Sequence, residues 1–231
     1  MVASTSAKPR SEKATKVRAL LAGGLVLGIG AAFTLAAWTD NEWVFGQSEN
    51  GGGPGTKVYH MQQNTWTGPA GDAVWGDKDA APGGALTFSV NADNLVPGTT
   101  VYAPMQLRAS DKSQSLVATL TGAARLDEAD SVTNSSALYG ALRYQLKQGV
   151  DKDLCNAANF GPNGTDLVRV GSTLSTRSDT PINLPAGATD AAPGTPVSLC
   201  FALTLPSSAG VELQGLKTTP VWTFSSTVGQ P

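Results

Sequence analysis

Residues 196–205 read Pro-Val-Ser-Leu-Cys-Phe-Ala-Leu-Thr-Leu, and this stretch decides the fold class. Large apolar side chains occupy every second position in it, from Val197 to Leu205. A period of two places these side chains on one face of a β-strand, where they can pack on a core. Cys200 falls on the opposite face of the same strand. The stretch therefore predicts a strand whose two faces meet different surroundings.

Five further segments alternate in the same way, and Gly- and Pro-rich turns separate them. The strand candidates are 86–91, 100–108, 115–121, 141–147 and 221–228, with weaker ones at Val58–Met61 and Leu167–Val170. Turn residues such as Pro82-Gly83-Gly84 stand between the runs. A short helix is expected near Leu126–Asp130 or near Ser136–Leu142. This punctuation is typical of an all-β protein, and we expect an antiparallel, jelly-roll-like β-sandwich over residues 56–231.

The first 37 residues have the pattern of an export signal. Basic residues crowd residues 1–18, and an uncharged run rich in Ala, Gly and Leu follows over 19–37. This pattern predicts a signal peptide that is cut between Ala37 and Trp38. A retained anchor is the alternative, because the run approaches the length of a membrane span. In either case only this segment meets the membrane, and the remainder ends up outside it.

The chain contains two cysteines, Cys155 and Cys200. An even pair in an exported domain predicts a disulfide, which would contribute roughly 4 kcal/mol in the chain-entropy model. Two buried thiols that behave as small hydrophobes are the alternative. The signal and the cysteines together predict a secreted or cell-surface protein.

The charge of the chain argues against nucleic acid as a partner. Removal of residues 1–18 takes five of the 16 basic residues and one of the 18 acidic residues. The remainder then carries 11 basic and 17 acidic residues, a net charge of −6. Binding to nucleic acid requires clustered Lys and Arg, and no such cluster occurs after residue 18.

The sequence lacks the residue patterns of known catalytic sites. Its single histidine, His60, stands beside no nucleophile motif, and a zinc-protease helix requires two histidines. We therefore expect neither an enzyme nor a cofactor. For metals the expectation is also none, with two weak calcium candidates among the loop acids. These are Asp72, Asp77 and Asp79, and a second group of Asp127, Glu128 and Asp130.

Residues 38–55 combine an aromatic segment with a Gly-rich linker. Trp38, Trp43 and Phe45 precede the linker sequence Gly51–Gly55. One interpretation makes the aromatic segment the first strand of its own sandwich. The other makes it a donor strand that fills a groove in a neighbouring copy, since strand addition combines main-chain hydrogen bonds with side chains in pockets. A head-to-tail contact that does not close would produce a filament.

Three short motifs resemble one family of exported proteins. Leu-Ala-Ala-Trp-Thr-Asp at 35–40 resembles signals cut by a SipW-type signal peptidase, as in the TasA and camelysin group. Asn-Leu-Val-Pro-Gly at 94–98 and Val-Trp-Thr-Phe at 221–224 are similar to a turn and a final strand of that family. The long basic start looks most like the actinobacterial branch. The resemblance implies export, a jelly-roll-like sandwich and, in the best-known members, extracellular fibres.

These observations predict a secreted, non-enzymatic structural protein of the cell surface or biofilm matrix. We expect it to meet a SipW-type signal peptidase during export and to assemble into homo-oligomers or fibres by strand addition. The alternative is a monomeric secreted module that binds a carbohydrate or a surface partner. Trp66 and Trp75, in the loop over residues 64–84, are then the residues expected to stack on sugars.

Overall fold

The computed structural model describes residues 58–89 and 92–228, together with positions 16, 44, 46, 47 and 49. The chain divides into two compact units, Met1–Gly55 and Thr56–Pro231. In the described residues, no helix has both the length and the apolar character that a membrane span requires.

Several predictions concern residues that are not described. They are the signal peptide over residues 1–37, its cut between Ala37 and Trp38, and the donor residues Trp38, Trp43 and Phe45. These remain predictions from the sequence.

Strands are the main regular elements of the described part of the second unit, and loops and three short 3-10 helices connect them. The strands are β1 Met61–Asn64, β2 Trp75–Gly76, β3 Thr100–Ala109, β4 Leu116–Arg125, β5 Arg143–Gln148, β6 Thr165–Thr173, β7 Ile182–Leu184, β8 Val197–Thr204 and β9 Pro220–Val228. A six-residue helix, α1, covers Ser136–Ala141, and its first turn is capped by the hydroxyl of Ser135, which accepts a hydrogen bond from the backbone N–H of Leu138.

The strands form two antiparallel sheets. The larger sheet has the order β2-β1-β3-β8-β5-β6, and the smaller has the order β7-β4-β9. The predicted all-β, antiparallel β-sandwich is confirmed.

The stretch that opened the sequence analysis is β8, which lies inside the larger sheet between β3 and β5. The Pro97-Gly98 turn leads into β3 and closes with a hydrogen bond from the N–H of Thr99 to the carbonyl of Val96.

The main core lies between the inner faces of the two sheets. Leu199, Phe201 and Leu203 of β8 belong to it, together with side chains of β4 and β7 such as Leu120 and Ile182. The alternation read from the sequence therefore describes which face of each strand is buried. Burial of these side chains stabilises the fold by roughly 1.5–3 kcal/mol for each large residue.

A second, smaller core lies on the outer face of the larger sheet. Cys200 and Ala202 of β8 contribute to it, and Val150, Cys155 and Phe160 come from the loop after β5. The predicted disulfide between Cys155 and Cys200 is confirmed, and it joins residues 45 positions apart. It fastens the loop onto the outer face of β8.

Two strand predictions are corrected by the structure. The weak candidate Val58–Met61 is not a strand before Met61, because β1 runs over Met61–Asn64. The described part of segment 86–91 is not a strand, although Leu86 and Phe88 do turn inward and pack against the core. Of the two predicted helix positions, the second is confirmed: the helix lies at Ser136–Ala141, and residues 126–130 form a loop. Strands β2 and β7 were not predicted, because runs of two and three residues are too short to show a period.

Candidate binding cleft beside the last strand

The last strand, β9, is an open edge of the smaller sheet. It pairs with β4 on one side only. Among the described residues, no backbone hydrogen bond reaches β9 from its other side. The unpaired N–H and C=O groups along such an edge can pair with an additional strand.

The other sheet edges are less suited to pairing. β2 and β7 have two and three residues, and β6 carries Asp166 and Arg169. Short length and charged side chains protect sheet edges from added strands. β9 has nine residues and no charged side chain, and its one proline stands at the first position. β9 is therefore the edge that is most open to strand addition in the described part of the chain.

A cleft of about 1580 Å³ lies alongside β9 and between the two sheets. Its apolar walls come from the inner faces of β3, β8 and β9. The largest of these residues are Met105, Leu107, Phe201, Leu203, Trp222 and Phe224. A groove with apolar walls and an unpaired strand along it fits an extended peptide with alternating apolar side chains.

An aromatic cluster contributes Phe201, Trp222 and Phe224 to the lining of the cleft. The ring of Trp222 lies 5.0 Å from that of Phe201 and 5.9 Å from that of Tyr144, measured between centroids. Phe224 meets Phe201 edge to face at 6.5 Å. Burial raises the pKa of the Tyr144 hydroxyl, which donates a hydrogen bond to the carbonyl of Thr176. The hydrogen bond of Tyr144 thus helps to hold the cluster in place, and the rings of Trp222 and Phe224 on β9 line the cleft.

A strap, defined here as residues 77–89, forms another wall, and residues 92–96 and 213–219 line the cleft as well. Leu86 and Phe88 point inward and are half-buried, and the ring of Phe88 lies 6.1 Å from that of Trp222. His60 also lines this cleft and is exposed to solvent. The charged residues of the strap, Asp77, Lys78 and Asp79, are exposed. The cleft lining is thus more apolar than polar, with polar residues such as Gln63 and Thr65, and the strap carries charges of both signs.

The two tryptophans predicted to stack on sugars lie elsewhere, and each is paired with a cation. The Lys152 ammonium lies 4.6 Å from the ring of Trp66, and the Arg108 guanidinium lies 4.1 Å from the ring of Trp75. Both tryptophans are half-buried. One face of each ring is therefore already covered by a side chain of the same protein, which reduces the area that a sugar could contact.

Buried Asn64 holds the loop that carries these tryptophans. Its side-chain carbonyl accepts hydrogen bonds from the backbone N–H groups of Trp66 and Val74, at 2.9 and 3.1 Å. Its amide group donates to the side chain of Gln106 at 3.1 Å. The sequence analysis did not single out Asn64, since a lone asparagine at a strand end gives no distinctive signal.

The predicted acidic clusters do not form metal sites in the described residues. Nowhere in the described ranges are three or more His, Cys, Asp or Glu side chains grouped as metal ligands. The weak candidates Asp72, Asp77 and Asp79 are all exposed.

In the second group, Arg125 donates to the backbone carbonyls of Glu128 and Asn134, at 2.6 and 2.8 Å, so these oxygens bind a guanidinium. Hydrogen bonds from Ser136 lower the pKa of Asp130, with a smaller contribution from Arg125. The carboxylate of Asp130 thus fixes the start of α1.

No protein-family model matches the chain, and no curated protein matches it either.

Proposed function

We propose that this is an exported structural protein of the cell surface or biofilm matrix, which self-assembles by strand addition. In the proposed contact, the aromatic segment 38–46 of one copy lies along β9 of another copy. The observation that carries the proposal is the open, uncharged edge of β9 beside an apolar cleft. The disulfide agrees with an extracellular location, since such bonds persist outside the cytosol.

The sequence of the aromatic segment suits this cleft. In an extended strand, Trp43 and Phe45 are two positions apart and share one face. That face would enter the cleft against Trp222 and Phe224, where ring contacts are worth about 0.5–1.5 kcal/mol beyond the area they bury. Backbone hydrogen bonds to β9 would supply the rest of the contact.

The linker is long enough for the segment to leave its own domain. Residues 47–57 number eleven and can span at most about 36 Å when fully extended. Five of them form the run Gly51–Gly55, which favours a flexible connection. Because the donor and the acceptor sites are different surfaces, repeated contacts would extend into a filament rather than close as a two-fold dimer.

The first test compares the chain from residue 38 onward with a variant in which Trp38, Trp43 and Phe45 are all replaced by Ser. Every buried core residue that the structure describes lies within Thr56–Pro231, so both proteins retain all of these residues. We expect filaments and concentration-dependent light scattering from the parent chain and a folded monomer from the variant. A parent chain that stays monomeric at all concentrations would contradict strand addition and favour a monomeric binding module.

A second test changes the acceptor surface instead of the donor. Ser226 lines the cleft and is exposed, so Ser226→Lys places a charge in the cleft without disturbing the core. We expect assembly to require at least about tenfold more protein, since burying an unpaired charge costs more than 1.4 kcal/mol. Val211→Lys, at a residue that is 78% exposed and outside the cleft lining, is the matched control and should assemble normally.

A further inference from the structure

We infer that residues 85–89 of the strap are an internal placeholder, which occupies the aromatic end of the cleft until a donor segment displaces it. This inference rests on the proposed function and adds a control step to it. The assembly contact would then form by exchange of one extended segment for another, and not by filling an empty groove.

The strap imitates a donor strand in its sequence. Leu86 and Phe88 are two positions apart and face inward, just as Trp43 and Phe45 would in an extended donor. Ala85, Thr87 and Ser89, between and beside them, are exposed. The donor offers the larger apolar pair, because tryptophan replaces leucine, so the exchange increases the area that is buried.

Few backbone hydrogen bonds attach the strap to the rest of the domain. Among the described residues, no backbone hydrogen bond joins residues 84–88 to another element. Only Ser89 is tied to the sheet: its N–H donates to the carbonyl of Tyr102 at 2.7 Å, and its hydroxyl accepts from the N–H of Tyr102 at 3.1 Å. This attachment uses the edge of β3 beyond the last residue that pairs with β1. A segment with so few fixed hydrogen bonds opens at low free-energy cost.

The position of Phe88 makes the strap a competitor for the donor. Its ring contacts Trp222, which is the aromatic side chain that the donor would meet on β9. Both inward residues of the strap are only half-buried, so the placeholder fills its site incompletely. A donor that buries its aromatic pair more fully would displace the strap from the cleft.

Gly83 and Gly84 form the hinge about which the strap can move. Gly83 has a positive φ of 80°, which side-chain-bearing residues rarely adopt. A Cβ atom at Gly84 would lie 3.3 Å from side-chain atoms of both Gln63 and Thr65, so the backbone passes close to β1 there. The strap thus lies close to β1 at its glycine pair, and residues 84–88 have no backbone hydrogen bond to another element among the residues that the structure describes.

The test uses a synthetic peptide of residues 38–46 and the chain from residue 47 onward, which retains every buried core residue that the structure describes and lacks its own donor. Titration measures the affinity, and hydrogen exchange follows the amides of Ser89 and of β9. We expect the peptide to protect β9 and at the same time to increase exchange at Ser89. Phe88→Ala and Leu86→Ala should each tighten peptide binding by about threefold to tenfold, because a competing contact is removed. Val211→Ala, an apolar truncation at a residue that is 78% exposed and outside the cleft lining, is the control and should leave the affinity unchanged.

The outcomes separate the two proposals. Protection of β9 without any change at Ser89, or weaker binding by Phe88→Ala and Leu86→Ala, would overturn the placeholder and leave strand addition standing. In that case the strap is a fixed wall that the donor packs against. Absence of peptide binding and of β9 protection would overturn both proposals together.

Discussion

At the scale of single residues, the least expected feature is the buried ammonium group of Lys147. It donates hydrogen bonds to the backbone carbonyls of Phe160, Gly161 and Asn163, at 3.0, 2.8 and 3.1 Å. We predict that Lys147→Met lowers the free energy of unfolding by about 1–3 kcal/mol, since buried acceptors lose their donor. Urea denaturation followed by tryptophan fluorescence measures this loss.

Lys152→Met is the matched control for that prediction. Lys152 is exposed and donates to one backbone carbonyl, that of Gly71, at 2.6 Å. Surface substitutions of this kind usually change stability by no more than about 0.5 kcal/mol. Equal losses in the two variants would mean that the three carbonyls around Lys147 contribute nothing specific.

At the scale of elements, the pairing of β4 with β9 contains an irregularity that a single glycine permits. The register shifts between Leu120 and Ala123, and Gly122 has a φ of 101°. A Cβ atom there would lie 2.7 Å from the carbonyl carbon of Ser175, well inside contact distance. We predict that Gly122→Ala lowers the free energy of unfolding by about 1–3 kcal/mol beyond the loss from backbone strain, because the new methyl group would overpack its neighbour. Thermal unfolding followed by circular dichroism provides the measurement.

Gly171→Ala isolates the contribution of backbone strain. Gly171 has a similar positive φ of 79°, but a Cβ atom there would meet no other atom within 4 Å. Gly171→Ala should therefore lower the free energy of unfolding by about 1–2 kcal/mol. A Gly122→Ala variant as stable as Gly171→Ala would show that the bulge adjusts without loss.

The same comparison of elements shows what the sequence can predict. The period of two correctly located β3, β4, β5, β8 and β9, because each has at least six residues and one face that packs on the core. It failed at residues 86–91, where Leu86 and Phe88 alternate inward without a partner strand over most of the segment. Alternation records which side chains are buried, and does not record whether the backbone is paired.

The candidate site was only partly predictable for a related reason. Trp222 and Phe224 were assigned correctly to a final strand, yet an open edge depends on sheet order, which the period of a strand does not reveal. Lys147 could not be found at all, since lysine is almost never fully buried and its partners are backbone carbonyls of a later loop.

At the scale of the whole second unit, the larger sheet separates two regions with different roles. Its inner face contributes Met105 and Phe201 to the cleft beside β9. Its outer face carries Cys200, the disulfide and the loop that Lys147 holds. A change confined to the outer region should therefore alter stability without altering the proposed assembly surface.

The double variant Cys155→Ala, Cys200→Ala tests this separation. The disulfide closes a loop across 45 positions, so its loss should lower the free energy of unfolding by about 4 kcal/mol in the chain-entropy model. At temperatures well below its unfolding midpoint, the variant should still assemble at the same protein concentration as the parent chain. Urea denaturation and light scattering on the same samples measure the two effects. Loss of assembly in a variant that remains folded would mean that the outer loop takes part in the contact between copies, and would move the interface away from β9.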